Sequence, residues 1–303
     1  MAAKVANLMS ESWDFLIVLD ACRYDYFSEI YSIFFDGRLE RRLSPGCSTL
    51  EWLKNSFTGY YPDIIYISGN PYINSSMAIN GFDAKNHFYR VVDVWRSGWS
   101  EKLGTVHPRE INKATLRYYL KYPEKRFIIH YLQPHAPYLS PKFRAKGYPS
   151  PNLEKSEILA GIMGHGQFNR YFESLVNIMG TILYKLDLIE SSWKLRERLG
   201  LPPRSPMEAA RRRFGIEGLR KAYRENLYIV LKYASKLCKH FLKRKRIIIT
   251  SDHGELLGEE GTYEHPNGPI EKILNNLFNK RRIILQEVPW FKVKRVIGRT
   301  IHT

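Results

Sequence analysis

Four short apolar runs constrain the fold of this chain more than any other feature. They are Phe15–Leu19 (FLIVL), residues 63–68 (DIIYIS), residues 126–132 (RFIIHYL) and residues 246–250 (RIIIT). Short runs rich in branched and aromatic side chains are typical of strands that are buried on both faces. The segments between them that we predict to be helical are residues 21–35, 112–121 and 223–242. Strands alternating with helices predict an α/β fold with a largely parallel sheet.

The length and composition allow a large core, since 44% of the 303 residues are hydrophobic. Because α/β proteins of this size often form one unit, we expect a single domain over residues 1–303. Residues 139–221 differ from the rest, with proline and glycine at the start and charged, helical sequence after them. We expect this segment to be a helical insertion over the sheet, acting as a lid or a partner surface.

The charge and the cysteines bear on partners and location. The 47 Lys and Arg residues exceed the 30 Asp and Glu residues, giving a net charge of +17. Such a surplus favours anionic partners: phosphorylated substrates, an acidic membrane surface or nucleic acid, although charge alone does not establish nucleic-acid binding. A basic surface that only confers solubility is an equally weighted interpretation. Three scattered cysteines, no long apolar run and no signal-peptide core predict a cytoplasmic protein, which such a surface could bring to a membrane. Nothing in the sequence fixes the oligomeric state.

Polar side chains follow three of the predicted strands directly. They are Asp20, His135 and the adjacent pair Asp252 and His253. In open α/β sheets, binding sites form beyond the carboxyl ends of the strands. Carboxylates and imidazoles together are ligands for Zn²⁺, Mn²⁺, Mg²⁺ or Ca²⁺. Structural alternatives remain open at this point: each aspartate could cap a helix, and His135 could brace a proline-rich turn.

Five segments together resemble motifs of the alkaline phosphatase–sulfatase superfamily. In chain order they read FLIVLDACRYDYF, HYLQPHAPY, IIITSDHGELLGE, GTYEHP and EVPW, and they extend from about Phe15 to Trp290. The segment around SDHGE is the most specific, and the others gain weight from their common order. The resemblance implies a three-layer α/β/α sandwich around a mixed, largely parallel sheet.

The resemblance also implies roles for individual side chains. The implied metal ligands are Asp20, Thr49, Asp252 and His253. The implied substrate-binding residues are His135 and His265. A four-ligand set of this kind resembles that of the superfamily's single-metal phosphotransferases, so we expect one divalent ion (Mn, Zn, Mg or Ca) and an anionic phosphate- or sulfate-bearing substrate.

The nucleophile of the superfamily stands at a helix start, and the matching stretch here is SPGCSTLEW. Thr49 resembles the threonine nucleophile of the phosphodiesterase and phosphoglycerol-transferase branches, with Ser48 as its competitor. A serine or threonine followed by glutamate is also an ordinary capping signal. The two interpretations are compatible, because a helix N-terminus attracts anionic groups. A formylglycine sulfatase is not expected, because Cys47 lacks the required proline two positions later and arginine four positions later.

Four further residues depart from, or bear on, the superfamily pattern. Ala21 replaces a second aspartate that is common in sulfatases. Asp83 and His87 have the Asp-x-x-x-His spacing of two-zinc phosphatases but lie in the wrong part of the chain, which favours one metal. We expect Arg23 to be solvated rather than to contact a substrate.

The sequence therefore predicts a metal-dependent hydrolase or transferase acting on phosphoesters through Thr49 or Ser48. One alternative is a sulfuric ester hydrolase that uses an unmodified hydroxyl. A second is a catalytically silent basic protein that binds nucleic acid or a membrane surface. Whether water or an alcohol accepts the transferred group is not indicated by the residues.

Overall fold

The computed structural model describes residues 4–145, 147–151, 188–242, 245–265 and 278–297. The strands are β1 Lys4–Val5, β2 Phe15–Leu19, β3 Phe35–Leu43, β4 Tyr61–Ser68, β5 Phe88–Asp93, β6 Trp99–Ser100, β7 Thr105–Val106, β8 Arg126–Tyr131, β9 Ile247–Ser251, β10 Leu256–Glu259, β11 Thr262–Glu264 and β12 Glu287–Val296. The helices are α1 Tyr24–Ile30, α2 Thr49–Ser56, α3 Val94–Ser97, α4 Pro108–Lys121, α5 Ile189–Arg198, α6 Pro206–Phe241 and α7 Phe278–Gln286. Single 3₁₀ turns lie at Leu8–Ser10, Tyr31–Ile33, Ala84–Asn86 and Pro141–Phe143.

Eight strands form one central sheet in the order β1-β3-β12-β9-β2-β8-β4-β5. Every neighbouring pair is parallel except those that involve β12, which runs antiparallel to both β3 and β9. The four predicted strands are confirmed as β2, β4, β8 and β9, and they lie next to one another at the centre. The predicted mixed, largely parallel sheet is therefore confirmed.

Alternate side chains of β2 point to opposite faces of the sheet, and each face has its own core. Phe15, Ile17 and Leu19 pack in a cluster with side chains of α1, α4 and α6. Leu16 and Val18 pack on the other face in a cluster that includes side chains of α2. Burying each large aliphatic side chain contributes about 1.5–3 kcal/mol to stability, so the central strands hold their ends in fixed positions.

The outer part of the sheet differs from the sequence prediction. The helix predicted over residues 21–35 is wrong in its second half, because α1 ends at Ile30 and β3 begins at Phe35. β3 is mostly charged, with apolar residues at Phe35, Leu39 and Leu43 (FDGRLERRL), and it pairs with β12 on one side. A Cβ atom at Gly37 would lie 2.2 Å from the carbonyl oxygen of Lys292, so glycine is what lets the two strands meet there.

The predicted insertion over residues 139–221 lies partly outside the described residues, which exclude 152–187. Its described part contains the predicted helical structure, as α5 and the beginning of α6. Trp193 of α5 stacks on Tyr263 of β11 at 4.5 Å between ring centroids. The helix α6 is broken at Gly215, whose φ of 69° glycine adopts readily but other residues adopt only at a cost. The part of α6 after this break packs on the sheet. A lid role and a single domain over residues 1–303 both stay predictions.

Among the described helices, none combines the length and the apolar character needed to span a bilayer.

Candidate catalytic and metal site

Asp20 and Asp252 lie side by side because they follow adjacent parallel strands. Leu19 of β2 pairs with Ser251 of β9, so the two carboxylates leave the sheet at the same edge. The Oδ1 atom of Asp252 accepts hydrogen bonds from the backbone N–H groups of Ala21 and His253, both at 3.0 Å. The helix-cap alternative is wrong for both residues, since α1 begins only at Tyr24 and no helix follows Asp252 within residues 245–265.

Thr49 and Ser48 have different roles at the start of α2. Ser48 is the N-cap, with its hydroxyl accepting from the N–H of Glu51, while the Glu51 carboxylate accepts from the N–H of Cys47 at 2.8 Å. This arrangement resembles a capping box, except that Glu51 accepts from the residue before the N-cap. The Thr49 hydroxyl is buried, and it donates to Oδ2 of Asp252 at 2.7 Å. The capping serine leaves the threonine as the hydroxyl that faces the aspartate pair.

The His253 imidazole is held in the form that a metal ligand needs. Its Nδ1 lies 2.7 Å from the carbonyl oxygen of Gly254, so this nitrogen carries the hydrogen and donates it. Its Nε2 therefore keeps a free lone pair, 3.4 Å from both Oγ1 of Thr49 and Oδ2 of Asp252. Burial lowers the pKa of His253, which favours the neutral imidazole. A backbone carbonyl that fixes the tautomer is the usual second partner of a metal-binding histidine.

Asn70 is a site residue that the sequence analysis missed. It follows β4, and its side-chain amide donates to Oδ2 of Asp20 at 2.7 Å. Although burial alone raises the pKa of Asp20, the nearby imidazoles of His130, His135 and His253 hold that pKa below its usual range. The signal was available, since Asn70 is also a polar residue just beyond the carboxyl end of an apolar strand.

Asp20, Asp252 and His253 form a group that fits a divalent cation. Each of them offers one ligand atom, these atoms lie within 4.8 Å of one another, and all three side chains are buried. Two buried carboxylates without a cation are costly, and one ion would neutralise them. Oxygen atoms with one neutral imidazole suit Zn²⁺ or Mn²⁺ particularly well, and the Thr49 hydroxyl adds a fourth ligand atom beside them.

A second cluster contains His135, His265 and Glu255, the last of which the sequence analysis missed. The pairing of Leu256 with Glu264 in the β10–β11 hairpin places Glu255 beside His265, with Oε1 at 3.0 Å from Nδ1. Burial lowers the pKa of His265, but the Glu255 carboxylate raises it to about 9. Its protonated ring lies 4.2 Å from the His253 ring, between centroids. The cluster thus places a positive charge next to the first group.

The same cluster also offers ligand atoms within 4.8 Å of one another. Oε2 of Glu255 has no hydrogen-bond partner among the described residues and lies 3.8 Å from Nε2 of His135. The structure thus brings together two groups with metal-binding chemistry where the sequence predicted one. The proton on His265 argues for anion binding at this second group, because a metal would have to displace it.

His135 is fixed by Asn226 of α6, another residue that the sequence did not indicate. The buried Asn226 amide donates to three backbone carbonyls of residues 134–137 at 3.1–3.2 Å and accepts from the N–H of Leu139 at 3.0 Å. Nδ1 of His135 donates to the Ala136 carbonyl at 2.6 Å. The Nε2 atom is left as an acceptor that faces the cluster.

Two other predictions concern residues near these motifs. Arg23 is not solvated: its buried guanidinium lies 2.6 Å from Asp25 and 2.5 Å from Glu259, so that expectation is wrong. The guanidinium is largely buried, and two carboxylates satisfy it. Asp83 and His87 flank the 3₁₀ turn at Ala84–Asn86, where Asp83 caps the turn and Nδ1 of His87 lies 3.0 Å from the Gly59 carbonyl oxygen.

Neither a protein-family model nor a curated protein sequence matches the chain. Several solved structures are similar to it. The soluble domain of lipooligosaccharide phosphoethanolamine transferase A from Neisseria meningitidis is 14% identical over 97% of this chain and 81% of that one, with a TM-score of 0.44. The integral membrane protein EptA from the same organism is 13% identical, with a TM-score of 0.44. The match covers 97% of this chain but only 50% of EptA. The phosphonate monoester hydrolase SpPMH from Silicibacter pomeroyi is 13% identical over 95% of this chain and 68% of that one, with a TM-score of 0.42.

These values are too low to carry an argument about activity, and the fold assignment rests on the sheet order described above. The solved structures that the chain resembles are members of the alkaline phosphatase–sulfatase superfamily, which is also the superfamily that its motifs resemble.

Proposed function

We propose that the protein is a metal-dependent hydrolase or transferase that acts on phosphoesters through Thr49. One observation carries the proposal: the buried Thr49 hydroxyl lies 2.7 Å from Oδ2 of Asp252 and 3.4 Å from Nε2 of His253. An alcohol of this kind is a weak nucleophile unless a base or a metal activates it. Thr49 lies against a carboxylate and an imidazole that are both candidate metal ligands, so a cation bound there would provide that activation.

A divalent cation held by Asp20, Thr49, Asp252 and His253 would supply the positive charge that lowers the pKa of the hydroxyl. Asp252 orients the hydroxyl hydrogen away from the substrate. Oγ1 of Thr49 then attacks phosphorus, so that a P–O bond to Thr49 forms as the bond to the leaving alcohol breaks. The hydrogen of Thr49 passes to Oδ2 of Asp252, and a proton from the His265 imidazolium neutralises the leaving oxygen, which completes this first step. Transfer of the phosphoryl group from Thr49 to water or to an acceptor alcohol restores the hydroxyl.

His265 would donate to the substrate's nonbridging oxygens, and His135 would do so when its Nε2 also carries a hydrogen. His265 is held beside Glu255, which keeps it protonated and places a positive charge close to the attacking oxygen. The N-terminus of α2, where Thr49 stands, adds the positive end of a helix dipole. An anion with two or three nonbridging oxygens, such as a phosphodiester or a phosphomonoester, matches this set of donors, in agreement with the basic net charge.

The test compares Thr49→Ala with Ser48→Ala in the turnover of bis(p-nitrophenyl) phosphate and p-nitrophenyl phosphate, with Mn²⁺ or Zn²⁺ supplied. Loss of a nucleophile should lower turnover by at least about 1,000-fold. Ser48→Ala removes a helix cap and should cost about 1 kcal/mol of stability while keeping most of the turnover. Wild-type rates in Thr49→Ala would refute the assignment of the nucleophile.

The alternatives give different results in the same set of assays. Turnover of p-nitrophenyl sulfate but neither phosphate ester would indicate a sulfuric ester hydrolase with an unmodified hydroxyl. Salt-sensitive binding to nucleic acid or to anionic vesicles without any ester turnover would indicate a silent basic binding protein. Quenching the enzyme during turnover and measuring its intact mass would reveal a phosphorylated Thr49.

A further inference from the structure

His130 is a fully buried histidine that stands behind the candidate metal site and has no part in the chemistry described so far. It lies on β8, between Val18 of β2 and Ser68 of β4, and its side chain points to the α2 face. The sequence hides it inside an apolar run, RFIIHYL. A polar ring at the centre of a sheet is costly to bury without hydrogen bonds, so its two nitrogens need an explanation.

The two ring nitrogens of His130 have different surroundings. Nδ1 lies 2.7 Å from the hydroxyl oxygen of Tyr66, a fully buried residue of β4. Nε2 has no hydrogen-bond partner among the described residues. It lies 3.6 Å from Oδ2 of Asp20 and 3.8 Å from Oδ2 of Asp252, almost equally far from the two carboxylates. The ring therefore points one nitrogen into the gap between two implied metal ligands.

The surroundings select one tautomer. Within the described part of the chain, the only hydrogen-bond partner of the Tyr66 hydroxyl is Nδ1 of His130. If Nδ1 carried the hydrogen, the buried Tyr66 hydroxyl hydrogen would have no acceptor, at a cost of about 1–3 kcal/mol. Tyr66 therefore donates and Nδ1 accepts, so the hydrogen of the neutral ring is on Nε2. That N–H group faces two carboxylate oxygens, where a lone pair would be repelled.

We propose that His130 is a positioning residue that keeps the Asp20 and Asp252 carboxylates in place for the metal ion. Its Nε2–H group attracts one oxygen of each carboxylate and offsets their mutual repulsion, while Tyr66 fixes its tautomer from behind. The edge of Trp52 lies against the ring, at 6.1 Å between centroids, and limits its rotation. With its hydrogen on Nε2, His130 is not itself a ligand. The proposal rests on the metal binding of the proposed function.

The first experiment measures the tautomer in the wild-type, metal-free protein. Nitrogen-15 NMR of the histidine-labelled chain distinguishes a protonated Nε2 from a protonated Nδ1. We expect the hydrogen of His130 on Nε2 at neutral pH. A hydrogen on Nδ1 would overturn the proposal, because Nε2 would then be free to bind the ion directly. This measurement needs neither a variant nor enzymatic activity.

The second experiment measures the Zn²⁺ affinity of His130→Phe, His130→Gln and Tyr66→Phe by competition with a chelator. Loss of a residue that orients metal ligands typically lowers metal affinity by about 10- to 100-fold, and we expect this for His130→Phe. His130→Gln keeps an N–H donor near the position of Nε2 and should stay within a few-fold of the wild type. Tyr66→Phe is the matched packing control: it keeps His130 and should weaken binding less than His130→Phe does.

The outcomes separate this proposal from the proposed function. A wild-type chain that binds no divalent ion would refute the proposed function whatever the tautomer of His130. Normal ion binding by wild type and by folded His130→Phe alike would refute only the positioning role. Equal losses in His130→Gln and His130→Phe would also refute it, since they would point to packing rather than to the N–H group.

Discussion

Replacing Asp252 with asparagine tests the candidate metal site without changing its shape. In the wild type, Oδ1 of Asp252 accepts from the N–H groups of Ala21 and His253, while Oδ2 accepts from Thr49. The asparagine oxygen can keep both backbone hydrogen bonds, so its amide nitrogen must take the position of Oδ2. Asp252→Asn thus removes one ligand atom and one negative charge, while the backbone around the site keeps its hydrogen bonds.

The expected effect follows from linkage between ion binding and folding. At an ion concentration 100 times the Kd, binding stabilises the folded wild type by about 2.7 kcal/mol. For a chain of 303 residues, the entropy of unfolding is about 0.6 kcal/mol per kelvin, so this corresponds to a rise in Tm of about 4 °C. An affinity lowered about 100-fold leaves the variant at its own Kd, where binding adds about 0.4 kcal/mol and less than about 1 °C.

The assay is thermal unfolding of wild type and Asp252→Asn with chelator and with added Zn²⁺ or Mn²⁺. Asp83→Asn is the matched control, since Asp83 caps a 3₁₀ turn outside the site, and it should show the wild-type shift. We also expect metal-free Asp252→Asn to be no less stable than the metal-free wild type, because it has one buried charge fewer. A full ion-induced shift in Asp252→Asn would refute the ligand assignment.

Two further predictions concern residues that support the fold around the site. Burial raises the pKa of Glu11, but hydrogen bonds from Lys292 and Arg42 lower it overall, from 4.5 to about 2. The stabilising effect of the Glu11 carboxylate is therefore complete above pH 4.5 and is lost as the pH falls towards 2. Glu11→Gln should lower the free energy of unfolding, measured with urea, by about 2–3 kcal/mol at pH 7 and by less at pH 3. A loss that does not depend on pH would contradict this. A Cβ at Gly254 would lie 2.2 Å from the carbonyl oxygen of Ile284. Gly254→Ala should cost about 1–3 kcal/mol in the same assay and weaken Zn²⁺ binding by the preceding histidine, and an unchanged Zn²⁺ affinity would show that the strand end tolerates the shift.

The centre of the sheet was predictable because it is buried on both faces. β2, β4, β8 and β9 are apolar in nearly every position, and such runs have few alternatives to a central parallel strand. β3 and β12 escaped prediction for the opposite reason. Both strands mix charged and apolar residues without a regular period, and β12 is antiparallel, so only its pairing with β3 and β9 defines it.

The same contrast between local pattern and long-range contacts applies to the candidate site. Asp20, Asp252 and His253 stand directly behind predicted strands, so a rule about strand ends was enough to select them. Glu255 and Asn226 act through contacts that depend on a hairpin register and on a helix placed over a distant turn. Neither contact has a periodic signature in the sequence. Local pattern therefore identified the candidate metal ligands but not the side chains that orient the groups around them.

The hydrogen bonds to the two aspartates also affect the metal-free protein. The Asp252 carboxylate accepts two backbone N–H groups and the Thr49 hydroxyl, and the Asp20 carboxylate accepts the amide of Asn70. These hydrogen bonds offset much of the cost of burying the two charges before any ion arrives. They also hold the ligand oxygens in place, so an ion would bind without reorganising the strand ends. The central strands, and not the ion, would then determine the geometry of the site, and removal of the ion should cost the protein only the free energy of binding.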